Sequence, residues 1–472
     1  LAWTRVDGDS GSGHDGRHSA RLPEHTMGGQ IQARDAMRPI LSREQQRLCG
    51  FPMDGRPRLV RGVAGSGKTL VLANWLVRTV RRMMDQPQFS VWAVYANRSL
   101  HHLLQDYLVR AWEEASQERL FDEGPFPWDR VSLLHVRDVL AGLLPSVNLS
   151  LEEFGFDYDA ASEALLTQLR DESLEPRCTA LFIDEAQDMG PATLRMLLSL
   201  VEQSDPADRN SRSASVFYDN AQNIYGRSLP VWQQLGLDLR GRSVIMKESF
   251  RSTRQLTELA VNLLSRLTPA DQLPDQKEQI RLGLLEKTVR DGEEWLEVHY
   301  NQTHGPDAAL KICDTRAEEM QALAGQLIRL IQEEQISPEK IVLLYNSADA
   351  RQQLEEQLGP KLQKIGVELS IQTSRAYERL PNTLLVTTPH SFKGFESEAV
   401  FIPCADRFVT SDGQILAGPL YVAMTRARSL LGIYATQAAY GPSAQLLNEL
   451  RRVCALRHAA PALAQCLPDS SR

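Results

Sequence analysis

Gly62-Val63-Ala64-Gly65-Ser66-Gly67-Lys68-Thr69 decides the fold class of this chain. It fits the spacing GxxxxGK[ST], follows the short apolar run Arg58–Val63 and precedes Lys68–Met84, whose apolar residues recur at helical spacing. Glycines there let backbone N–H groups wrap an anion, and the following helix adds the positive end of its dipole. The pattern therefore implies a phosphate-chain cradle. Lys68 would reach the β- and γ-phosphates, and Thr69 would hold Mg²⁺.

The next informative stretch is Leu181-Phe182-Ile183-Asp184-Glu185-Ala186-Gln187-Asp188, an apolar strand ending in two carboxylates. Downstream of a phosphate loop, Asp184 suits the metal and Glu185 suits polarisation of an attacking water. Around these two stretches the chain alternates strand-like and helical segments. Phe89–Ala96, Cys178–Ile183 and Ser215–Tyr218 read as strands, and Ser99–Leu120 and Pro191–Val201 as helices. A second series follows, with strands expected at Leu296–Tyr300, Leu310–Cys313, Ile341–Tyr345, Leu384–Thr387, Ala399–Pro403 and Leu431–Ala435. Its helices are expected at Arg316–Glu334, Ala348–Leu362 and Leu420–Ala427. Such alternation predicts an α/β fold with parallel sheets. The expected organisation is a disordered leader or the remnant of a longer N-terminus over residues 1–40, a first lobe over 41–240 with a small acidic helical insertion about 113–177, a second lobe over 241–455 with a reduced accessory insertion, and a C-terminal tail over 456–472.

Composition bounds the function. The chain has 472 residues, a formal charge of −8 and a pI near 5.8, which excludes a wholly basic nucleic-acid binder. Residues 113–177 are strongly acidic and carry scattered aromatics, and they predict a small helical insertion with a solvated acidic face. The six cysteines form no CxxC pair, so buried thiols in a reducing cytoplasm are expected rather than zinc ligands. No apolar run is long enough to predict a membrane span. Lysine is scarce: nine residues of the 52 basic ones, none between Lys68 and Lys247. Lys68 and Lys393 stand out for that reason.

Further stretches, in order, resemble the motif set of the UvrD/Rep/PcrA branch of superfamily 1 helicases. Leu41-Ser42-Arg43-Glu44-Gln45 is similar to the Q motif, which implies that Gln45 reads an adenine edge. Asp219-Asn220-Ala221-Gln222 through Gly226 is similar to motif III, where Gln222 would sense the γ-phosphate. Glu248-Ser249-Phe250-Arg251-Ser252 is similar to motif IV, with Arg251 on the γ-phosphate and Phe250 in the place of a stacking tyrosine. Thr388-Pro389-His390-Ser391-Phe392-Lys393-Gly394-Phe395-Glu396 is similar to motif V, and Glu396 joins the implied nucleotide set. Tyr421-Val422-Ala423-Met424-Thr425-Arg426-Ala427-Arg428 is similar to motif VI, whose first arginine, Arg426, would be the arginine finger. The resemblance spans about Leu41 to Ala435. It implies two RecA-like P-loop NTPase lobes with ATP and Mg²⁺ in a cleft between them. Lys68, Asp184, Glu185, Gln222, Arg251 and Arg426 would be the catalytic set, and Gly62, Gly65, Ser66, Gly67, Lys68 and Thr69 the cradle.

The same resemblance implies single-stranded DNA as partner, with Tyr95, Asn97, His135 and His390 as its contacts. Tyr95 reads equally well as a core residue at a strand end. Trp232 is displaced from the position of the family's DNA-stacking tryptophan. The span from Arg251 to His390 leaves little room for the family's large accessory insertion. ATP-driven 3′→5′ translocation in repair, recombination or phage defence is therefore better supported than processive unwinding. The rival expectations are an ATP-gated regulatory subunit whose partner is a nuclease or repair protein, and an RNA-directed ATPase.

Overall fold

The computed structural model describes residues 2–5, 22–23, 25–35, 37–63, 65–98, 100–117, 124–169, 174–208, 210–218, 232–235, 239–301, 303–372 and 380–458. Near the start, β1 (Ala2–Arg5) and β2 (Met37–Ile40) pair antiparallel. The first large sheet holds β3 (Arg58–Gly62), β4 (Val91–Tyr95), β5 (Val131–His135), β6 (Ala180–Asp184), β7 (Ala214–Tyr218) and β8 (Ser243–Met246). Its order is β5-β4-β6-β7-β3-β8, and every pairing is parallel. All five residues of β6 and of β7 are buried. Strands covered on both faces read as continuous apolar runs rather than as alternations, which is why these two were plain in the sequence.

The strand expected at Leu296–Tyr300 is not part of either large sheet. β9 (Leu285–Arg290) and β10 (Glu293–Val298) form a separate antiparallel hairpin instead. Its two-residue turn, Asp291 (φ 48°) and Gly292 (φ 79°), has both residues left-handed, which matches the twist of paired strands. The second large sheet holds β11 (Ala309–Cys313), β12 (Ile341–Leu344), β13 (Glu368–Ile371), β14 (Thr383–Thr387), β15 (Ser397–Ile402) and β16 (Ala427–Thr436). It runs β11-β16-β15-β12-β14-β13, again all parallel. The protein is thus a mixed α/β fold with two parallel six-stranded sheets.

Three boundaries differ from expectation. β8 lies beyond Gly241 yet pairs with β3, so the first sheet extends to Met246. The acidic stretch 113–177 is no separate subdomain. It supplies β5 to the sheet edge, and its helix Tyr158–Leu169 docks on the helix Pro191–Ser199, where Asp159 Oδ1 accepts from Thr193 N at 2.9 Å. Gly190 is required there, because a Cβ would sit 2.1 Å from the Asp159 carboxyl carbon. The leader contains a helix, Met27–Asp35, whose Ile31 is buried in the apolar core beneath the second sheet.

One buried apolar cluster runs from the first-sheet helix Lys68–Met83 through Leu100 and Leu104 to Phe392 and Phe395, then to the helix Gly441–His458. It joins the two sheets into one packed body at the level of the site described next. The described cysteines are all free; Cys49, Cys178, Cys313 and Cys404 are buried, and burial pushes the first two thiols up to about 12. No described helix is long and apolar enough to cross a membrane.

Candidate functional site

The loop after β3 closes on itself. Gly65 (φ 78°) and Gly67 (φ 79°) hold left-handed backbone that a side chain would strain. Space forbids a side chain as well. A Cβ on Gly65 would lie 2.6 Å from the Arg251 Cβ, and one on Gly67 2.8 Å from Gln45 Nε2. Gly62 lies close under Ser66, its own would-be Cβ 2.5 Å from Ser66 Oγ. Lys68 opens the helix Lys68–Met83 and folds back over the loop, donating to the Gly62 carbonyl at 3.0 Å and the Val63 carbonyl at 3.3 Å. Gly67 at the N-cap gives no side-chain cap, and the buried Ser66 Oγ has no hydrogen-bond partner among the described residues. Uncapped helix N–H groups beside a buried lone hydroxyl are what a bound anion would satisfy.

Gln45 sits beneath this loop. It is N3 of the helix Arg43–Cys49, and its Oε1 accepts from Ser42 N at 2.9 Å in a capping box. Its Nε2 donates to the Ser66 carbonyl at 2.9 Å. The carboxamide is 1% exposed. In this conformation Gln45 props the loop from below and does not face the cavity, against the expectation of an adenine reader.

β6 delivers the acids. Thr69 Oγ1 donates to Asp184 Oδ2 at 2.9 Å, a hydroxyl–carboxylate pair suited to a hard divalent cation. Burial, and then the neighbouring Glu185 charge, push the Asp184 carboxyl up to about 7, against the pull of the Thr69 hydroxyl. Glu185 has φ 50°, an uncommon conformation for a residue with a side chain, and its carboxylate accepts from Gln187 Nε2. Backbone strain of this kind is retained where surrounding structure over-determines it. Glu185 lines a cavity together with Gly65, Lys68 and Thr69.

The opposite wall of that cavity comes from residues far along the chain: Phe250, Arg251, Gly394, Glu396 and Arg428. Phe250 N donates to the Gly65 carbonyl at 3.1 Å, and Ser252 Oγ donates to the Ala427 carbonyl at 2.6 Å. These bonds fix the Phe250–Arg251 segment between the glycine loop and β16. Arg251 Nε lies 2.6 Å from Glu396 Oε2, with Arg428 Nε 3.6 Å from the other oxygen. Burial would raise the Glu396 pKa, but Arg251 and then Arg428 outweigh it and hold the carboxyl below its ordinary value.

Arg426 does not reach this cavity. It is 0% exposed, and its guanidinium donates to the Val422 carbonyl at 3.0 Å and the Phe395 carbonyl at 3.3 Å. The Val422 carbonyl near the end of the helix Ala417–Met424 and the Phe395 carbonyl hold it there. The cavity-facing cation of this stretch is Arg428, which the sequence reading passed over. Tyr107 and Leu103 were also missed; both line the cavity from the helix Leu100–Gln117. The only sequence signal for Arg428 was the Arg-x-Arg spacing itself.

The two sheets are tied beside the cavity. Lys393 Nζ lies 2.6 Å from Asp188 Oδ1, with both side chains buried. Asn97 Nδ2 donates to the Lys393 carbonyl at 3.0 Å, and Gly394 (φ 89°) packs so closely on Leu100 that a Cβ would lie 2.3 Å from Leu100 Cδ2. Asn97 is therefore a brace between sheets. His390, one turn before Lys393, is half-buried, and burial and the Lys393 charge lower its pKa.

The remaining nucleic-acid candidates are engaged internally. Tyr95, 3% exposed, shares a hydrogen bond with His101 Nδ1 at 2.7 Å; burial pushes its hydroxyl up to about 12. His135, also 3% exposed, bonds the Ala96 carbonyl through Nε2 at 2.6 Å, and its Nδ1 accepts from Arg137 N at 3.1 Å as N-cap of the helix Val136–Leu143. This bonding requires the neutral Nε2–H tautomer, and burial lowers the imidazole pKa to about 4. In this arrangement both side chains are buried and held by internal hydrogen bonds. Trp232 meets Tyr218 edge-on at 5.5 Å and packs on the first-sheet core. Gln222 and its motif lie outside the described residues.

No protein-family model matches the chain, and no curated protein sequence matches it. Among solved structures it is similar to the C-terminal domain of a possible DNA helicase from Lactobacillus plantarum WCFS1. That match has 17% identity and a TM-score of 0.28, and covers 43% of this chain and 96% of that one. At that similarity the likeness carries no inference about this chain's activity.

Proposed function

We propose that the protein is an ATP hydrolase built from two RecA-like lobes, which couples turnover to movement on single-stranded DNA in the manner of the UvrD branch of helicases. The observation that carries this reading is the cavity itself. A glycine loop, Lys68, Thr69 and a strained acidic residue on one wall face two arginines and an aromatic ring on the other. Uncapped N–H groups, the lone Ser66 hydroxyl and the Thr69–Asp184 pair fit a magnesium-bound triphosphate. Thr69 and Asp184 would hold the Mg²⁺, which when bound neutralises phosphate charge. Lys68 would give up its loop carbonyls to bind phosphate oxygens. Glu185 would orient the attacking water and accept its proton. Arg251 and Arg428 would stabilise charge developing on the γ-phosphate, a term worth about 3–4 kcal/mol per well-placed donor. Phe250 would stack on the base.

Because Glu396 and Arg428 belong to the second sheet's side and the glycine loop to the first, a ligand that bridges them favours the closed arrangement, and its loss relaxes it. That is the basis for a motor stroke. The test is ATP hydrolysis by the purified chain with single-stranded DNA, single-stranded RNA or no nucleic acid, at two salt concentrations. DNA-stimulated turnover, weakened by salt, is expected. Absence of turnover under all conditions refutes the assignment. Stimulation by RNA alone would move the substrate to RNA. A DNA-stimulated ATPase that fails to unwind a forked duplex until a nuclease partner is added would favour the regulatory-subunit reading.

A further inference from the structure

The helix Met27–Asp35 precedes every motif of the site in sequence, yet it is seated on the second sheet. Gly28 N donates to the Glu334 carbonyl at 2.8 Å, and the helix lies so close that a Cβ on Gly28 would fall 2.0 Å from the Gln335 carbonyl oxygen. Ile31 is 7% exposed in the core there. In its last turn Arg34 donates to Ser429 Oγ at 3.3 Å and pairs with Glu398, whose side chain is 2% exposed. From that carboxylate a chain of ion pairs leads to the cavity. Arg428 Nη1 lies 3.2 Å from Glu398 Oε1, Arg428 Nε lies 3.6 Å from Glu396 Oε1, and Glu396 Oε2 lies 2.6 Å from Arg251 Nε.

We infer that Arg34 is a positioning residue for the anion bound in the cavity, acting through Glu398 and Arg428; this rests on the nucleotide-binding reading above. Arg34, Arg428 and Arg251 alternate with Glu398 and Glu396 along this line of ion pairs, and the nearby Arg426 adds its field at Glu396. Cations outnumber carboxylates along it. Without Arg34, the buried Glu398 has Arg428 as its remaining cation. A buried carboxylate holds its partner strongly, because an unpaired charge there is costly. Arg428 would then be drawn toward Glu398 and away from the cavity, and less positive charge would face an incoming phosphate.

The test compares the wild type with Arg34→Ala, Arg34→Lys and the double variant Arg34→Ala/Glu398→Gln. Affinity for inorganic triphosphate is measured by calorimetry, kcat and KM for ATP by steady-state assay, and folding by thermal melting. The expected result is a fall of about tenfold in triphosphate affinity and in kcat/KM for Arg34→Ala, within the usual range for coupled neighbours. Arg34→Lys should recover most of it by restoring the charge. The double variant should recover as well, because removing the Glu398 charge releases Arg428. A purely structural role for the helix would not produce that second recovery. Unchanged affinity in Arg34→Ala, or loss without recovery in the double variant, overturns the inference. A wild type that binds triphosphate but does not hydrolyse ATP refutes the ATPase reading, while the affinity series still decides the role of Arg34. A wild type that binds no triphosphate refutes both.

Discussion

Two polar clusters lie at the carboxyl ends of the first sheet, and they are built in opposite ways. At β3 and β6, the glycine loop, Ser66, Lys68 and Glu185 present donors and a carboxylate to a cavity, with left-handed backbone at Gly65, Gly67 and Glu185. At β4 and β5, Tyr95, His101 and His135 bond each other or backbone, and their rings meet at 5.7–6.1 Å. Carboxyl ends of parallel strands are where ligands bind in such sheets. Position alone therefore does not distinguish a site from a core. Unsatisfied polar groups and backbone strain do, and they are confined to the first cluster.

The contrast breaks most sharply at Lys68. Lys68→Ala should lower ATP turnover by about 1,000-fold, in line with loss of a positioned cation at the transferring group. Thermal melting of the same variant separates loss of turnover from loss of fold. Glu185→Gln should lose turnover and keep ATP binding. A Lys68→Ala protein that hydrolyses ATP normally would remove the cavity's claim to be the active site.

The tie between the sheets should respond in stability. Lys393→Ala removes the buried cation that faces Asp188, and denaturant unfolding should show a loss of about 3 kcal/mol. Pairing Lys393→Met with Asp188→Leu should restore much of it, because a buried carboxylate that has lost its cation is what costs. If both variants behave alike, the ion pair is not what holds the walls in register.

Legibility in the sequence followed the same line. The loop, β6 and the strands β7, β12, β14, β15 and β16 were readable because buried parallel strands are uniformly apolar and the glycine spacing has a backbone cause. β5, β8 and β13 were not, since their residues are mixed and partly exposed at or near sheet edges. The acidic surroundings of β5 made it look like an insertion, although Val131 and His135 are buried. Arg426 and Arg428 differ by two positions, and the Val422 and Phe395 carbonyls took the first while the second faces the cavity. That choice depends on where the helix Ala417–Met424 stops, which local composition does not specify. Arg34 was invisible because its partners lie hundreds of residues away.

His135 tests the closed cluster through pH. Its pKa is depressed from 6.5 to about 4, so between those values the unfolded chain binds more protons than the folded one. The stability it contributes is complete above about pH 6.5 and is lost as pH falls toward 4. On lowering the pH from 7 to 4.5, the wild type should lose on the order of 2 kcal/mol more than His135→Gln, whose amide does not titrate in this range. Arg137 and Arg98 nearby add to the depression, and Asp138 opposes it. Single-stranded DNA affinity, read by fluorescence anisotropy, should be unchanged in His135→Gln at pH 7.5.

Tyr95→Phe carries the smallest expected effect and the sharpest decision about this cluster. It deletes one hydroxyl and keeps the ring. The cost should be about 1 kcal/mol in denaturant unfolding, the usual worth of one buried hydrogen bond, with His101 Nδ1 left to find water at the half-exposed edge of the cluster. If the ring is core, oligo-dT affinity should match the wild type in Tyr95→Phe. In Tyr95→Leu it should fall no further than the lost stability accounts for. If the ring swings out to stack on a base, Tyr95→Phe should still bind normally, but Tyr95→Leu should lose about 1–3 kcal/mol of binding at 5 °C, where both variants are fully folded. The hydroxyl then reports the closed state and the ring reports the open one. Only a loss confined to Tyr95→Leu would reopen β4 and β5 as a nucleic-acid surface.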